Sequence, residues 1–156
     1  MSKLNPGDPA PIFELMDQEG NPVRLADCQG KKVLLFFYPK ALTSGCTKQA
    51  CSVRDAKSEL ADLGVVAFGI SPDPVSLQKK FADKHSLGFP LLSDPDHAVA
   101  EAYGVWGEKS MYGKKYQGII RSAFLLDETG RVIQAWYKVS PEQTVPQARE
   151  ALAKRP

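Results

Sequence analysis

The sequence has no apolar segment that approaches the length of a membrane-spanning helix. Its longest apolar run covers residues 33–38, whereas a helix needs about 20 residues to cross a bilayer. The first residues also lack the apolar core of a secretion signal. We therefore expect a cytoplasmic protein without a membrane partner.

The sequence is also poor in cysteine, histidine and net charge. Three cysteines are too few and odd in number for a disulfide framework, and a reducing compartment keeps such thiols free. The two histidines, His85 and His97, lack the short paired spacings of zinc sites. A net charge of +2 does not indicate a nucleic-acid partner. With no phosphate loop or dinucleotide fingerprint, we expect neither a metal nor a cofactor.

The length and composition of the chain, with 43% hydrophobic and 24% charged residues, indicate one soluble domain over residues 1–156. Residues 33–38 and 65–70 read as strands covered on both faces, and between them Cys46, Ala50, Val53 and Leu60 share one helical face. This pattern predicts one helix and a right-handed parallel crossover.

Further elements follow along the chain. We expect a helix through residues 77–87, a short edge-like strand at 89–92, a short helix at 99–103 and a hairpin of 119–126 with 131–137. A final helix starts at Ser140 and ends near Lys154. The opening segment, residues 6–24, is expected to add a small hairpin that turns through residues 19–21. The order predicts an α/β, thioredoxin-like fold with a central mixed β-sheet flanked by helices.

Cys46 is the candidate nucleophile. It lies where an apolar strand ends and a helix begins, so unpaired N–H groups and the helix dipole favour its thiolate. A free thiol with a pKa of about 8.5 is about 3% ionised at neutral pH, so full ionisation gains only about thirty-fold in thiolate. Rapid reaction with a peroxide therefore also needs fixed donors that stabilise charge as the O–O bond breaks.

Three residues are candidates to supply or shape those donors. Thr43 precedes Cys46 by three residues, so its hydroxyl can bond the sulfur or a peroxide oxygen, or cap the helix. Arg121 lies in an apolar strand pattern, where an anion such as a thiolate would offset its burial, although spacing alone favours a structural ion pair. Pro39 ends the strand and is expected to shape the loop and shield the sulfur.

Cys51 is the candidate partner thiol. Five helical residues separate the two Cα atoms by about 8.7 Å, and a disulfide needs less than about 7 Å. A bond between Cys46 and Cys51 therefore requires the first turns of the helix to unwind, which predicts a folded reduced form and a locally unfolded oxidised form. Cys28 lies in a polar stretch without activating chemistry and is read as a packing residue.

The pattern Pro39-x-x-x-Thr43-x-x-Cys46 resembles the peroxiredoxin family. The stretches 36–40, 49–51, 104–109 and 121–125 are similar to the Q-type, or bacterioferritin comigratory protein, subfamily. The resemblance implies that Cys46 is the peroxidatic cysteine, that Cys51 is the resolving cysteine, and that Thr43 and Arg121 complete the peroxide site. It also implies hydrogen peroxide and organic hydroperoxides as substrates, thioredoxin or a glutaredoxin-like dithiol as reductant, and a monomer.

Two departures from the family pattern bear on activity. Ser44 stands where the family commonly has proline, so the loop before Cys46 is expected to be looser. The motifs of easily over-oxidised peroxiredoxins, a Gly-Gly-Leu-Gly loop and a C-terminal Tyr-Phe, have no counterpart in this sequence. We therefore expect the sulfenic acid to be resolved before a second peroxide reacts with it.

Two other functions compete with peroxide reduction. A protein thiol-disulfide oxidoreductase would share the fold, but it would prefer a Cys-x-x-Cys pair to the longer spacing found here. A single-strand nucleic-acid surface is suggested by basic and aromatic residues interleaved between Trp106 and Tyr116. The small net charge disfavours it, and the glycines in this stretch predict a mobile loop near the site.

Overall fold

The computed structural model describes residues 3–154, and of Met111 the backbone alone. Residues 1–2 and 155–156 of the predicted domain lie outside the described residues. The strands are β1 (Glu14–Met16), β2 (Pro22–Arg24), β3 (Lys32–Phe37), β4 (Val65–Ser71), β5 (Leu91–Ser93), β6 (Trp106–Met111), β7 (Lys114–Ile119), β8 (Ser122–Leu126) and β9 (Val132–Tyr137). The α-helices are α1 (Ser44–Asp55), α2 (Lys57–Asp62), α3 (Val75–His85), α4 (Ala98–Ala102) and α5 (Thr144–Ala153).

Seven strands form one mixed sheet in the order β2-β1-β5-β4-β3-β8-β9. Strand β4 pairs in parallel with β3 and β5, and the remaining pairs are antiparallel. The β8–β9 and β1–β2 hairpins confirm the two predicted hairpins. Helices lie on both faces of the sheet, as the sequence predicts.

Strand β3 is central because its residues are apolar on both faces. Its side chains alternate between two buried clusters, one with Leu34, Phe36 and Tyr38 and the other with Val33, Leu35 and Phe37. The first cluster includes the buried faces of α1, α2, α3 and α5, and the second includes that of α4. Cys46 belongs to the first cluster and Cys28 packs against the second, so the sheet separates these two thiols.

Three predicted elements differ from the structure near the site. The single helix after β3 is divided at Ala56, whose dihedral angles (φ −94°, ψ 3°) leave the helical range. Periodicity missed this break because both helices bury the same apolar face, ending with Leu60. Arg121 is not in a strand, because β7 ends at Ile119 and β8 begins at Ser122. The final helix opens with a 3-10 turn at Pro141–Gln143, ahead of α5.

Two further expectations also need correction. The strand predicted as edge-like, β5, is covered by β1 through a pairing of Ser93 with Met16, so β2 forms that edge. The predicted mobile loop is an ordered two-stranded hairpin of β6 and β7. The glycine content predicts a loop, but this prediction is wrong because Gly107 and Gly118 pair with each other within the hairpin.

Candidate active site

Cys46 occupies the first turn of α1, which is joined to the end of β3 by a loop over residues 38–43. The first backbone N–H groups of a helix have no partner within it, so they and the helix dipole favour an anion at this position. The Cys46 side chain has 0% of its surface exposed, whereas Thr43 and Ser44 in the adjoining turn are exposed. The sulfur therefore lies just beneath an exposed turn of the protein surface.

The guanidinium of Arg121 lies next to that sulfur. Its Nη1 donates to Cys46 Sγ at 3.4 Å and to Oε1 of Gln49 at 2.9 Å. A cation with fixed N–H donors stabilises a thiolate and the charge that develops when the thiolate attacks a peroxide. The structure thus brings together Cys46 and Arg121, two residues separated by 75 positions in the chain.

Gly45 allows the guanidinium to approach α1 closely. A Cβ atom placed on Gly45 would lie 3.0 Å from Arg121 Nη2 and 3.6 Å from Cγ of Pro141. The backbone of Arg121 is held as well, because its carbonyl accepts a hydrogen bond from the N–H of Val139 at 2.9 Å. The missing side chain at Gly45 therefore provides the space in which Arg121 faces the sulfur.

The loop before Cys46 is anchored by a buried carboxylate. Asp73 Oδ2 accepts hydrogen bonds from Ala41 N–H and from the Ser71 hydroxyl, each at 2.7 Å. Gln78 donates to the same Ser71 hydroxyl at 2.9 Å. Leu42 adopts a left-handed conformation (φ 68°), which is unfavourable for a residue with a Cβ atom. The hydrogen bond at Ala41 therefore holds the loop against this local strain.

Thr43 and Pro39 lie at the two ends of this loop. Thr43 is at the N-cap position of α1, but its hydroxyl donates to the carbonyl of Lys40 at 2.8 Å rather than capping the helix. With its proton committed to Lys40, the oxygen keeps lone pairs to accept a hydrogen bond. Pro39 has no N–H, so the ladder from β3 ends at Tyr38, whose N–H donates to Ile70 at 3.1 Å.

Cys51 lies on the same intact helix as Cys46, and both thiols are free. Cys51 is half-buried and packs against the first core cluster. Arg54 is close by: its pKa is raised mainly by a hydrogen bond with Asp55 and further by the charge of Cys51. In this reduced form the two cysteines are held apart by helical geometry, as their spacing predicts.

The β6–β7 hairpin brings a second cation towards the site. Lys109 donates to the carbonyl of Ile119 at 2.8 Å. Burial lowers the pKa of Lys109 and the charge of Arg121 lowers it further, while the charge of Cys46 raises it. An open cleft of about 480 Å³ adjoins Arg121, and its other lining residues are Glu108, Lys109, Ser110, Ile120, Lys138 and Val139.

The model of the AhpC/TSA family matches residues 6–135. The chain is 53% identical to peroxiredoxin Bcp of Escherichia coli K12 over 132 residues, 85% of each chain, and 45% identical to peroxiredoxin Bcp of Bacillus subtilis over 146 residues, 94% of this chain and 93% of that protein. The chain belongs to the AhpC/TSA family, as a peroxiredoxin of the Bcp type. This peroxiredoxin is a thiol peroxidase, and peroxides are its substrates.

The fold of the peroxiredoxin agrees with this assignment. The bacterioferritin comigratory protein of Xanthomonas campestris, solved in work on its alkyl peroxide reduction activity, superposes with a TM-score of 0.85 at 35% identity, covering 90% of both chains. The thioredoxin-like fold predicted from the sequence is thereby confirmed. Within residues 3–154, none of the helices is long and apolar enough to cross a membrane.

Other site residues of this peroxiredoxin were missed by sequence reasoning. Gln49 resembles any polar helix residue until its burial is known, and Asp73 lies in a Ser-Pro-Asp-Pro segment that reads as a turn. In the sequence, Lys109 reads as one of the interleaved basic and aromatic residues between Trp106 and Tyr116. In the described part of the chain, His, Cys, Asp and Glu side chains form no group of three or more that could hold a metal.

Proposed function

We propose that Cys46 is the peroxidatic cysteine of this peroxiredoxin and that Cys51 resolves it. The observation that carries the proposal is the 3.4 Å contact of Arg121 Nη1 with Sγ of Cys46 at the start of α1. In the first step the Cys46 thiolate attacks one peroxide oxygen and the O–O bond breaks. The other oxygen leaves as hydroxide or alkoxide and takes up a proton from solvent to become water or an alcohol. The sulfur is oxidised to a sulfenic acid and the peroxide is reduced.

Arg121 and Thr43 would position the peroxide in this step. Arg121 donates hydrogen bonds to the sulfur and to the oxygen that gains negative charge. The Thr43 hydroxyl, whose proton is given to Lys40, accepts a hydrogen bond from the peroxide O–H. Pro39 ends β3 and keeps the loop over the sulfur, in a supporting role.

The second step joins the two cysteines. The Cys51 thiol loses its proton and the thiolate attacks the sulfenic sulfur of Cys46. The S–O bond breaks, the hydroxide takes up a proton to leave as water, and a disulfide forms. Because both residues belong to α1, resolution needs no second chain, which supports a monomer whose one domain carries the whole cycle. Thioredoxin or a similar dithiol then reduces the disulfide by exchange, and we place this cycle in the cytoplasm, where such reductants keep thiols reduced.

The cleft beside Arg121 supports organic hydroperoxides as substrates in addition to hydrogen peroxide. Its volume of about 480 Å³ exceeds what hydrogen peroxide needs, and the cleft is open to solvent. The alkyl peroxide reduction activity named for the Xanthomonas protein fits the same substrate class.

Peroxide consumption coupled to thioredoxin and its reductase tests the proposal. The wild-type chain should turn over, whereas Cys46→Ser should be inactive and Cys51→Ser should be active only with an external thiol. Cys28→Ser is the matched control and should turn over like the wild type. Unchanged turnover of Cys46→Ser would overturn the assignment, and reduction of insulin disulfides without peroxide consumption would favour a protein thiol-disulfide oxidoreductase.

Far-UV circular dichroism tests the unwinding step. In a Cys28→Ser background, addition of one equivalent of peroxide should reduce the helical signal as α1 opens, and a dithiol should restore it. The Cys51→Ser variant cannot form the disulfide, so its signal should remain unchanged. A disulfide that forms between Cys46 and Cys51 without any loss of helical signal would contradict the unwinding.

A further inference from the structure

We infer that Thr144, the first residue of α5, is a positioning residue for the reaction at Cys46, an inference that rests on the proposed role of that cysteine. Thr144 is 95 residues from Gln49, yet its Oγ1 accepts a hydrogen bond from Gln49 Nε2 at 3.0 Å. The Oε1 of the same amide accepts from Arg121 Nη1 at 2.9 Å, and Arg121 Nη1 donates to Cys46 Sγ at 3.4 Å. A continuous chain of hydrogen bonds thus joins α5 to the sulfur.

The direction of these hydrogen bonds is fixed by chemistry. A guanidinium has only donors, so the Gln49 amide must present its oxygen to Arg121 and its NH₂ group to the other side. That NH₂ group then needs an acceptor, and the Thr144 hydroxyl supplies it. If the amide rotated by 180°, its N–H groups would face the donors of Arg121.

Burial makes the acceptor at Thr144 important. The side chains of Gln49 and Thr144 both have 0% of their surface exposed, so bulk water does not replace a lost partner. A buried N–H without an acceptor is costly, and a Gln49 side chain that turns towards a new acceptor withdraws its oxygen from Arg121. The hydroxyl of Thr144 therefore stabilises the orientation of Arg121 from a distance.

The segment that leads into α5 supports the same arrangement. Val139 donates its N–H to the carbonyl of Arg121 at 2.9 Å, and the 3-10 turn that begins at Pro141 packs against α1. Within residues 139–144, Val139 thus binds the backbone of Arg121 directly, and Thr144 is linked to its guanidinium through Gln49. In this way the start of the last helix determines the position of the cation at the active site.

The test measures alkylation of Cys46 by iodoacetamide across a pH series, in a Cys28→Ser, Cys51→Ser background that leaves one thiol. Thr144→Val keeps the shape of the side chain and removes the acceptor. We expect its alkylation profile to shift to higher pH and its rate with hydrogen peroxide to fall about 2- to 10-fold, the range set by one lost hydrogen bond. Thr144→Ser retains the hydroxyl and should restore both.

Two controls separate positioning from general destabilisation. Val145→Ala removes buried contacts next to Thr144 in α5 and should lower the melting temperature without moving the alkylation profile. In a Gln49→Leu background, Thr144→Val should not shift the alkylation profile further, because the amide that links Thr144 to Arg121 is already absent. Folded Thr144→Val with a wild-type profile, or Thr144→Ser as impaired as Thr144→Val, would overturn the inference.

Failure of the positioning role of Thr144 can be distinguished from failure of the proposed peroxidase function. The alkylation profile is read without peroxide and depends only on the surroundings of Cys46. If the parent protein failed to consume peroxide while the profile still shifted in Thr144→Val, the positioning role would stand and the peroxidase assignment of Cys46 would fall.

Discussion

Arg121 and Gln49 hold each other in place beside Cys46: one guanidinium nitrogen, Nη1, donates both to the Gln49 amide oxygen at 2.9 Å and to the cysteine sulfur at 3.4 Å. The cation is therefore oriented before a peroxide arrives. Prearranged donors of this kind account for a large share of rate acceleration, because they need no reorganisation as charge develops.

Arg121→Met should impair peroxide reduction severely. Loss of one such donor typically costs about 100- to 1,000-fold in rate, so stopped-flow measurement of Cys46 oxidation should slow by that order. The control is Arg149→Met, which removes a surface ion pair with Glu59 on the same side of the sheet and should leave the rate unchanged. A rate for Arg121→Met within threefold of the wild type would contradict the role of this cation.

Ser44→Pro should stabilise the reduced form of the protein. Ser44 is the first residue of α1, where proline fits and no helical N–H bond is lost, and Thr43 before it is extended (φ −82°, ψ 158°), as a residue preceding proline should be. We expect a gain of about 0.4–1 kcal/mol in the free energy of unfolding. Chemical denaturation of the reduced protein measures it.

The same change should slow resolution. A more rigid first turn resists unwinding, so sulfenic Cys46 should persist longer and sulfinic Cys46 should increase at high peroxide. Mass spectrometry of the peptide that contains Cys46 measures both species. Equal stability of the two proteins, or less sulfinic product from Ser44→Pro than from the wild type, would contradict this view of the loop.

Asp73→Ala should loosen the loop before Cys46. The change leaves Ala41 N–H and the Ser71 hydroxyl without their buried acceptor, at a cost of about 1–3 kcal/mol for each group. Hydrogen exchange at residues 41–46 should accelerate while the core of β3 stays protected. Asp96→Ala, at an exposed carboxylate, is the control. Unchanged exchange at residues 41–46 would show that Asp73 does not anchor the loop.

Cys28 should be a slow thiol whose ionisation opposes folding. Burial raises the pKa of Cys28 above the ordinary value of a thiol, and the charge of Asp27 raises it further, while the charge of Lys31 lowers it. The folded state binds this proton more tightly than the unfolded state. Its contribution to stability is therefore complete below the ordinary value and is lost as the pH rises through the raised folded value.

Denaturation of the wild type and of Cys28→Ser across this alkaline range tests the prediction. The wild type should lose stability more steeply with increasing pH than Cys28→Ser. At neutral pH, alkylation of Cys28 should be slower than that of a free thiol. Parallel stability curves for the two proteins would contradict the effect of burial.

The sequence was sufficient to predict the elements that place Cys46 at the start of a helix. The apolar run of β3 and the periodic face of α1 each encode their own conformation, and the hairpin of β8 and β9 follows from local turn chemistry. The family resemblance indicates Arg121 as a site residue, whereas spacing alone favours a structural ion pair. The 3.4 Å contact with Cys46 agrees with the resemblance.

The rest of the site depends on contacts between distant segments. Gln49 acquires its role from Arg121 and Thr144, and Asp73 acquires its role from Ala41. These pairs are far apart in the chain, and no local pattern encodes them. The glycine-rich hairpin was misread for a related reason: its strands are stabilised by pairing with each other, whereas glycine content reports only the freedom of single residues.

The most direct test of the account is peptide mass spectrometry of the wild-type protein after one equivalent of hydrogen peroxide, with free thiols blocked immediately. We predict a disulfide between Cys46 and Cys51, with Cys28 recovered as a blocked thiol. Recovery of Cys46 as a blocked thiol while the peroxide is consumed would contradict the central claim that this sulfur is the site of oxidation.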